Sequence, residues 1–269
     1  MSESILGNQF VKIAGGTTAE RPSSPVIGMV RYNTDTDFLE WYDGNEWGDL
    51  TKFVPVEATG GTVNDVTIGS VDYRIHEFTS TGTSTFDVTD IGSSGFIDVL
   101  LVAGGGGGGG TSNNRSSSGY GGEAKVESLF LESTGSYTIT VGDGGNGVSH
   151  TTSPPAGDDS SFSGQSITVT AEGGAGGNSN FCCPSGSNPG EPGYEDGPNS
   201  INFDGNNIKY GDRPPPRDEV NCGDGRVNGQ PNTGDAGSGV WCSGSATGGS
   251  GGSGIVKIRY PLLDPLDPN

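Results

Sequence analysis

The sequence predicts an all-β chain with almost no helix, and three observations carry that prediction. Short apolar runs alternate with polar residues at a period of two, the pattern of a strand with one buried face. No stretch shows a capped apolar stripe at 3.6-residue spacing, the mark of an amphipathic helix. Between the strands lie blocks of glycine, which supplies 51 of the 269 residues against a usual share of roughly 7%. Apolar residues make up 29% of the chain, short of the roughly 45–50% of ordinary globular domains. One conventional core running through all of it is therefore not expected.

Residues 1–54 read as a small β-hairpin module. Met29-Val30-Arg31-Tyr32 is a strand between the turn formers Pro22-Ser23-Ser24-Pro25 and Asn33-Thr34-Asp35. Phe38-Leu39-Glu40-Trp41-Tyr42 leads into Asp43-Gly44-Asn45, and Glu46-Trp47-Gly48-Asp49-Leu50 leads out. Asp-Gly between aromatic-rich runs is a hairpin signal, because glycine takes the positive φ of a tight turn. So small a module with few aliphatic residues cannot hold a core alone. Tyr32, Phe38, Trp41, Tyr42 and Trp47 are expected to be buried between copies of the chain, making 1–54 the oligomerisation and attachment module.

Residues 55–70 read as a linker, and 71–260 as a β-sandwich-like glycine-rich domain followed by a tail, 261–269. Val71, Tyr73 and Ile75 alternate with Asp72, Arg74 and His76, which places the first three inward and the others outward. Further strands are expected at 85–88, 96–103, 124–131, 137–141, 167–171 and 255–260. In the last, Val256, Ile258 and Tyr260 point inward while Lys257 and Arg259 face water.

The glycine blocks fall at 104–110, 142–147, 173–177 and 248–254. Collagen needs Gly at every third position with abundant proline, and these blocks look irregular. A flexible linker would lack the patterned strands that enter and leave each block. The expected arrangement is ordered: extended left-handed threefold helices, packed closely because no side chain keeps them apart and bonded through their amides. At about 3.1 Å per residue, seven residues span about 22 Å. Mobile loops are the alternative.

Composition excludes several functions. The formal charge is −20, from 13 basic and 33 acidic residues, and phosphate neutralisation requires clustered Lys and Arg, so nucleic acid is not an expected partner. No apolar run approaches the length of a membrane helix, and MSESILGNQF lacks the basic start and apolar stretch of a secretory signal. Seven consecutive glycines satisfy any glycine spacing, so a dinucleotide fingerprint at 104–109 is empty without the helix that must follow it. His76 and His150 are the only histidines, too few for a multi-histidine metal site or a histidine-assisted nucleophile. Asp-Gly pairs such as Asp224-Gly225 and Asp196-Gly197 read as turns rather than calcium loops. No enzyme activity, cofactor or metal is expected.

Two segments resemble known proteins. Arg21-Pro22 through Val26-Ile27-Gly28-Met29-Val30-Arg31-Tyr32-Asn33-Thr34-Asp35-Thr36, then Glu40-Trp41-Tyr42-Asp43-Gly44-Asn45-Glu46-Trp47, resembles a short module of tailed-bacteriophage fibre and virion proteins. Tyr73-x-Ile75-x-x-Phe78-Thr79-Ser80-Thr81-Gly82, Asp98 through Ala103 running into poly-glycine, Tyr137 through Gly142, Asp159-Ser160-Ser161-Phe162 and Ser253 through Tyr260 resemble the glycine-rich domain of phage fibres and adhesins. The resemblance implies a homotrimeric tail-fibre or fibre-tip protein, located on the virion. Its implied partners are other fibre, tail or baseplate proteins and a host-surface glycan or outer-membrane protein.

The segment 178–246 departs from this pattern and holds Cys182, Cys183, Cys222 and Cys242. Adjacent Cys182 and Cys183 do not fit the usual zinc spacing; the four are disulfide candidates, with reduced thiols the alternative in a protein made in a reducing cytoplasm. The scaffold is expected to close without this insert. Tyr194, Phe203, Tyr210, Arg213, Arg217 and Trp241 are the receptor-contact candidates, since aromatics and Arg dominate binding hot spots; a small local core is the alternative. A capsid, neck or baseplate decoration fibre without a receptor is the second functional reading, and an ice-binding glycine-helix protein a third.

Overall fold

The structure is a computed structural model that describes residues 13–50, 53–112, 116–179, 200–212, 226–240 and 244–262. Among these the chain is built from strands, as the sequence predicts, and its one helical turn is Thr18–Glu20. It divides after Phe53 into two compact units.

The first unit is a four-stranded sheet in chain order: β1 (Gly15–Gly16), β2 (Val30–Asn33), β3 (Phe38–Tyr42) and β4 (Trp47–Asp49). β1 lies parallel to β2, and the rest is an antiparallel meander with Val30 opposite Trp41 and Arg31 opposite Glu40. Among its described residues the buried side chains are polar. Glu40 is fully buried and accepts hydrogen bonds from Arg21, Arg31 and Asn33, so its charge is neutralised where it is desolvated. The hydrogen bond from Arg21, joined by those from Asn33 and the charge of Arg31, holds the Glu40 carboxyl below its ordinary pKa against the opposing effect of burial.

The second unit contains β5 (Glu57–Thr59), β6 (Thr62–Ile68), β7 (Val71–Phe78), β8 (Gly82–Asp90), β9 (Phe96–Val102), β10 (Thr111–Ser112), β11 (Ala124–Phe130), β12 (Gly135–Val141), β13 (Ser160–Gly164), β14 (Ile167–Ala171), β15 (Ile201–Asn202), β16 (Asn207–Ile208), β17 (Ser245–Ala246) and β18 (Ile255–Pro261). Two five-stranded sheets, ordered β11-β9-β18-β7-β6 and β14-β13-β12-β8-β5, enclose the main core. Val99, Leu101, Val256, Ile258 and Tyr260 come from one sheet and Phe86, Tyr137, Ile139 and Phe162 from the other.

Three expectations fail here. Residues 55–70 are not a linker: β5 and β6 are edge strands of the two sheets, joined through Gly60 and Gly61 at φ of +119° and +63°. β6 is exposed along most of its length and β5 offers the core only Ala58, so the period-two pattern could not reveal either. β7 is buried on both sides rather than one: Ile75 is buried as expected, but so is the opposite side, where the sequence reading placed water. His76 and Phe78 pair with Ile258 and Val256 on the core side, and His76 is fully buried. That burial is tolerated because both ring nitrogens have partners, Gly60 O at 2.8 Å and Tyr260 Oη at 2.9 Å. Burial pulls the His76 pKa below its ordinary value, partly opposed by the Gly60 carbonyl. Finally, Lys257 does not face water. It is buried beneath the described part of the insert, where Nζ donates to Asp204 across 2.7 Å.

Candidate functional site

Past the ends of the sandwich strands the glycine runs assemble around the unbroken run 104–110. Its amides point in three directions that recur every third residue. Gly104 and Gly107 donate to Asp158 and Pro155 (2.9 and 3.1 Å), Gly105 and Gly108 to Gly252 and Gly249 (2.9 and 2.8 Å), and Gly106 and Gly109 to Tyr120 and Ser117 (2.8 and 3.0 Å). Its carbonyls accept with the same period. Gly104 and Gly107 accept from Gly174 and Gly177, Gly105 and Gly108 from Gly145 and Val148, and Gly106 from Gly237. This is the threefold repeat of an extended polyproline II-type helix.

Six runs therefore surround the central one. The three that take its amides (154–158, 248–254 and 117–123) run antiparallel to it, and the three that donate to its carbonyls (142–148, 172–178 and 234–240) run parallel. The two kinds alternate around the ring, and every adjacent pair is bonded. Asp158 donates to Asp143, Gly157 to Gly174, Tyr120 to Ala175, Gly119 to Gly237, Gly249 to Ser238 and Gly251 to Gly145. The ordered reading of the glycine blocks thus holds, and the central run's backbone polar groups are paired as burial demands.

The packing also explains the composition. Each residue of a threefold chain points in one of three directions, and in the central run all three meet a neighbour. A Cβ placed on any of Gly104 to Gly109 would lie 1.9–2.2 Å from a neighbouring carbonyl oxygen. A parallel run in the ring meets antiparallel runs on two sides only. Gly142 and Gly145 face run 154–158, Gly144 and Gly147 face run 248–254, and Asp143 and Asn146 point into solvent. Run 172–178 repeats this with Glu172, Ala175 and Asn178 exposed. The blocks that look irregular in sequence are Gly-Gly-x repeats, a signal visible in the sequence but masked by the unbroken central run.

The insert takes part in this lattice, so the expectation that the scaffold closes without 178–246 is overturned. Run 234–240 completes the ring, and 226–230 adds an outer chain through Gly229 to Ser250 and Ser238 to Val227. The β15–β16 hairpin covers the outer face of the sheet holding β9 and β18. Two receptor-contact candidates are accounted for here: Phe203 and Tyr210, 2% and 3% exposed, form a second core with Leu100, Val102 and Ile255. Arg259 lies between the rings of Phe203 and Tyr73 and donates to Phe203 O. Burial opposes charge at both Lys257 and Asp204, but their mutual hydrogen bond prevails, raising the Lys257 pKa and lowering that of Asp204. Tyr194, Arg213, Arg217, Trp241, Cys182, Cys183, Cys222 and Cys242 lie outside the described residues.

The end of the lattice remote from the sandwich is where loops collect. β10 pairs with β17 there. Ser116 N donates to Val240 O (3.0 Å), Gly110 N to Ser179 Oγ (3.3 Å) and Ser179 Oγ to Thr152 O (2.7 Å). The described residues of this end include Thr111, Ser112, Ser149, His150, Thr151, Thr152, Ser153, Ser245 and Thr247 and contain no Asp or Glu. The acids of the runs stand nearer the sandwich, at Glu123, Asp143, Asp158, Asp159, Glu172 and Asp235. In a chain of net charge −20 the described residues of this end carry no carboxylate and are rich in hydroxyl groups. Among the described residues, no three His, Cys, Asp or Glu side chains converge to hold a metal.

Of the five aromatic residues expected at an oligomer interface, Tyr32 and Trp41 share one face of the first sheet. Phe38, Tyr42 and Trp47 share the opposite face with Glu40. A family model for a glycine-rich domain matches residues 79–214, half of the chain. No curated protein matches the sequence.

Proposed function

The chain belongs to the glycine-rich domain family, and we propose that it is a non-enzymatic structural virion protein of a tailed phage. In this reading it is a homotrimeric tail-fibre or fibre-tip protein, assembled in the host cytoplasm and carried on the particle. The first unit attaches it to other virion proteins, and the glycine lattice holds contact loops away from the sandwich. The observation that favours contact with a host surface is the far end of the lattice, where bonded runs converge on loops whose described residues bear hydroxyls and no carboxylate in an acidic protein. Loops on a rigid scaffold are where binding residues concentrate. A surface free of carboxylates avoids like-charge repulsion at an anionic cell envelope, and hydroxyls suit hydrogen bonding to a glycan or to an outer-membrane protein loop.

The test is adsorption by particles in which residues 149–153 are replaced by a Gly-Ser segment of equal length. Normal assembly with adsorption reduced at least about tenfold, a change of about 1.4 kcal/mol, is the expected result. Unchanged adsorption removes this loop from recognition and favours the decoration-fibre reading.

A further inference from the structure

The first unit buries the wrong face for a free-standing sheet. Its covering segment, the turn Thr18–Glu20 with Arg21, lies over the polar side, where Arg31, Asn33 and Glu40 are buried. The other side carries Val30 and Tyr32 from β2 and Leu39 and Trp41 from β3, between Gly15 of β1 and Gly48 of β4. Val30, Tyr32 and Trp41 remain 43%, 37% and 40% exposed. No apolar side chain among the described residues of this unit is buried, so these residues supply no hydrophobic core, and hydrophobic burial is the main favourable contribution to folding.

We infer that this face is closed by the same face of further copies of the chain, arranged in a ring; the inference rests on the trimeric reading above and names the surface that would make the trimer. Two features point to a second copy as the occupant. The middle of the face is uncharged, since Arg31, Glu40 and Asp49 all point to the other side, and the Asp37 carboxylate at its end accepts a hydrogen bond from Tyr32 Oη. Chains of net charge −20 repel one another overall, whereas the uncharged middle of this face lets two copies meet without opposing carboxylates. The face is also flat. With no Cβ at Gly15 or Gly48, Tyr32 lies against the one and Trp41 against the other. The position of a Gly15 Cβ is 3.8 Å from Tyr32 Cδ1, and that of a Gly48 Cβ is 3.5 Å from Trp41 Nε1. Rings laid down in this way present broad apolar surfaces that stack equally well on their own copies, while a charged or strongly curved partner gains nothing from them.

The test is the mass of the purified full chain in solution, by sedimentation at micromolar concentration, with Val30→Glu and Trp41→Glu beside the wild type. The wild type is expected at a multiple of 27.3 kDa, three in the trimeric reading, and each variant at 27.3 kDa. A monomeric wild type, or variants that keep the wild-type mass, overturns the inference. Because a variant can lose the sheet rather than the contact, amide exchange of β2 and β3 in the wild type is followed across a hundredfold dilution. Protection that falls with dilution supports closure by copies, and protection independent of concentration overturns it. Neither readout depends on adsorption, so failure of the recognition reading and failure of this one are separable.

Discussion

The hydroxyl of Tyr260 lies 2.9 Å from Nε2 of His76, a contact between residues 184 positions apart in the chain. The opposite nitrogen, Nδ1, is 2.8 Å from the carbonyl of Gly60. A carbonyl only accepts, so Nδ1 carries the proton and Nε2 accepts from Tyr260. Burial favours the neutral imidazole in which Nε2 accepts, and burial raises the Tyr260 pKa to about 12. The pair ties β7 to the last strand at the centre of the sandwich.

A pH dependence follows. The folded-state pKa of His76 lies below its ordinary 6.5, so between the two values the unfolded chain binds a proton that the native one refuses. The contribution of His76 is complete above the unfolded pKa and is lost as pH falls through 6.5 towards the folded value, with a slope of at most about 1.4 kcal/mol per pH unit. Denaturant unfolding at pH 7.5 and 5.5 should show this loss in the wild type and a weaker one in His76→Gln. Equal losses would remove His76 as the origin.

The lattice makes a sharp distinction between neighbouring positions. A Cβ on Gly107 would sit 2.2 Å from Asn146 O, while the Asn146 side chain points into solvent. Gly107→Ala should destabilise the second unit by about 3 kcal/mol or prevent its folding, since neither backbone can give way. Asn146→Ala should stay within about 0.5 kcal/mol. Thermal unfolding of the two variants checks both values, and similar effects would contradict the packing.

Lys257 should matter more than a surface lysine. Lys257→Met leaves Asp204 without its cation and loosens the β15–β16 hairpin, at a cost of about 2 kcal/mol. The variant should expose the amides of 201–208 to exchange while those of β12 and β13 stay protected. Unchanged exchange at the hairpin would mean that Phe203 and Tyr210 hold it unaided.

In the first unit, Glu40→Gln strands Arg21 and Arg31 around a neutral group. The expected loss is about 3 kcal/mol, read as faster exchange in β2 and β3 with no change in the second unit. Because the Glu40 pKa is lowered, the wild-type unit should also weaken as pH falls through its ordinary value of 4.5. A variant as stable as the wild type would show that the ion-pair network contributes nothing net.

Much of the architecture is legible in one dimension. The strands at 96–103, 137–141, 167–171 and 255–260 are readable because each has apolar residues on at least one alternating face, and the glycine blocks because strands enter and leave them. β13 was not readable: Ser160-Ser161-Phe162-Ser163-Gly164 has a single apolar residue, and it is a strand only because β12 and β14 flank it. The far-end loops carry no motif at all, so their gathering at one place could not be inferred from their residues.

The sequence by itself determined that the chain is built of strands and close-packed glycine, because period-two patterning and the absence of side chains are properties of short segments. Only the tertiary structure decided that His76 on the second side of β7 is buried, that Phe203 and Tyr210 are core, and that the insert completes the ring around Gly104 to Gly110. Each of these depends on what a segment meets across distances of up to 184 residues. A strand face, an aromatic ring or a third position in a glycine repeat is buried only when another part of the chain arrives to cover it, and no local pattern records that arrival.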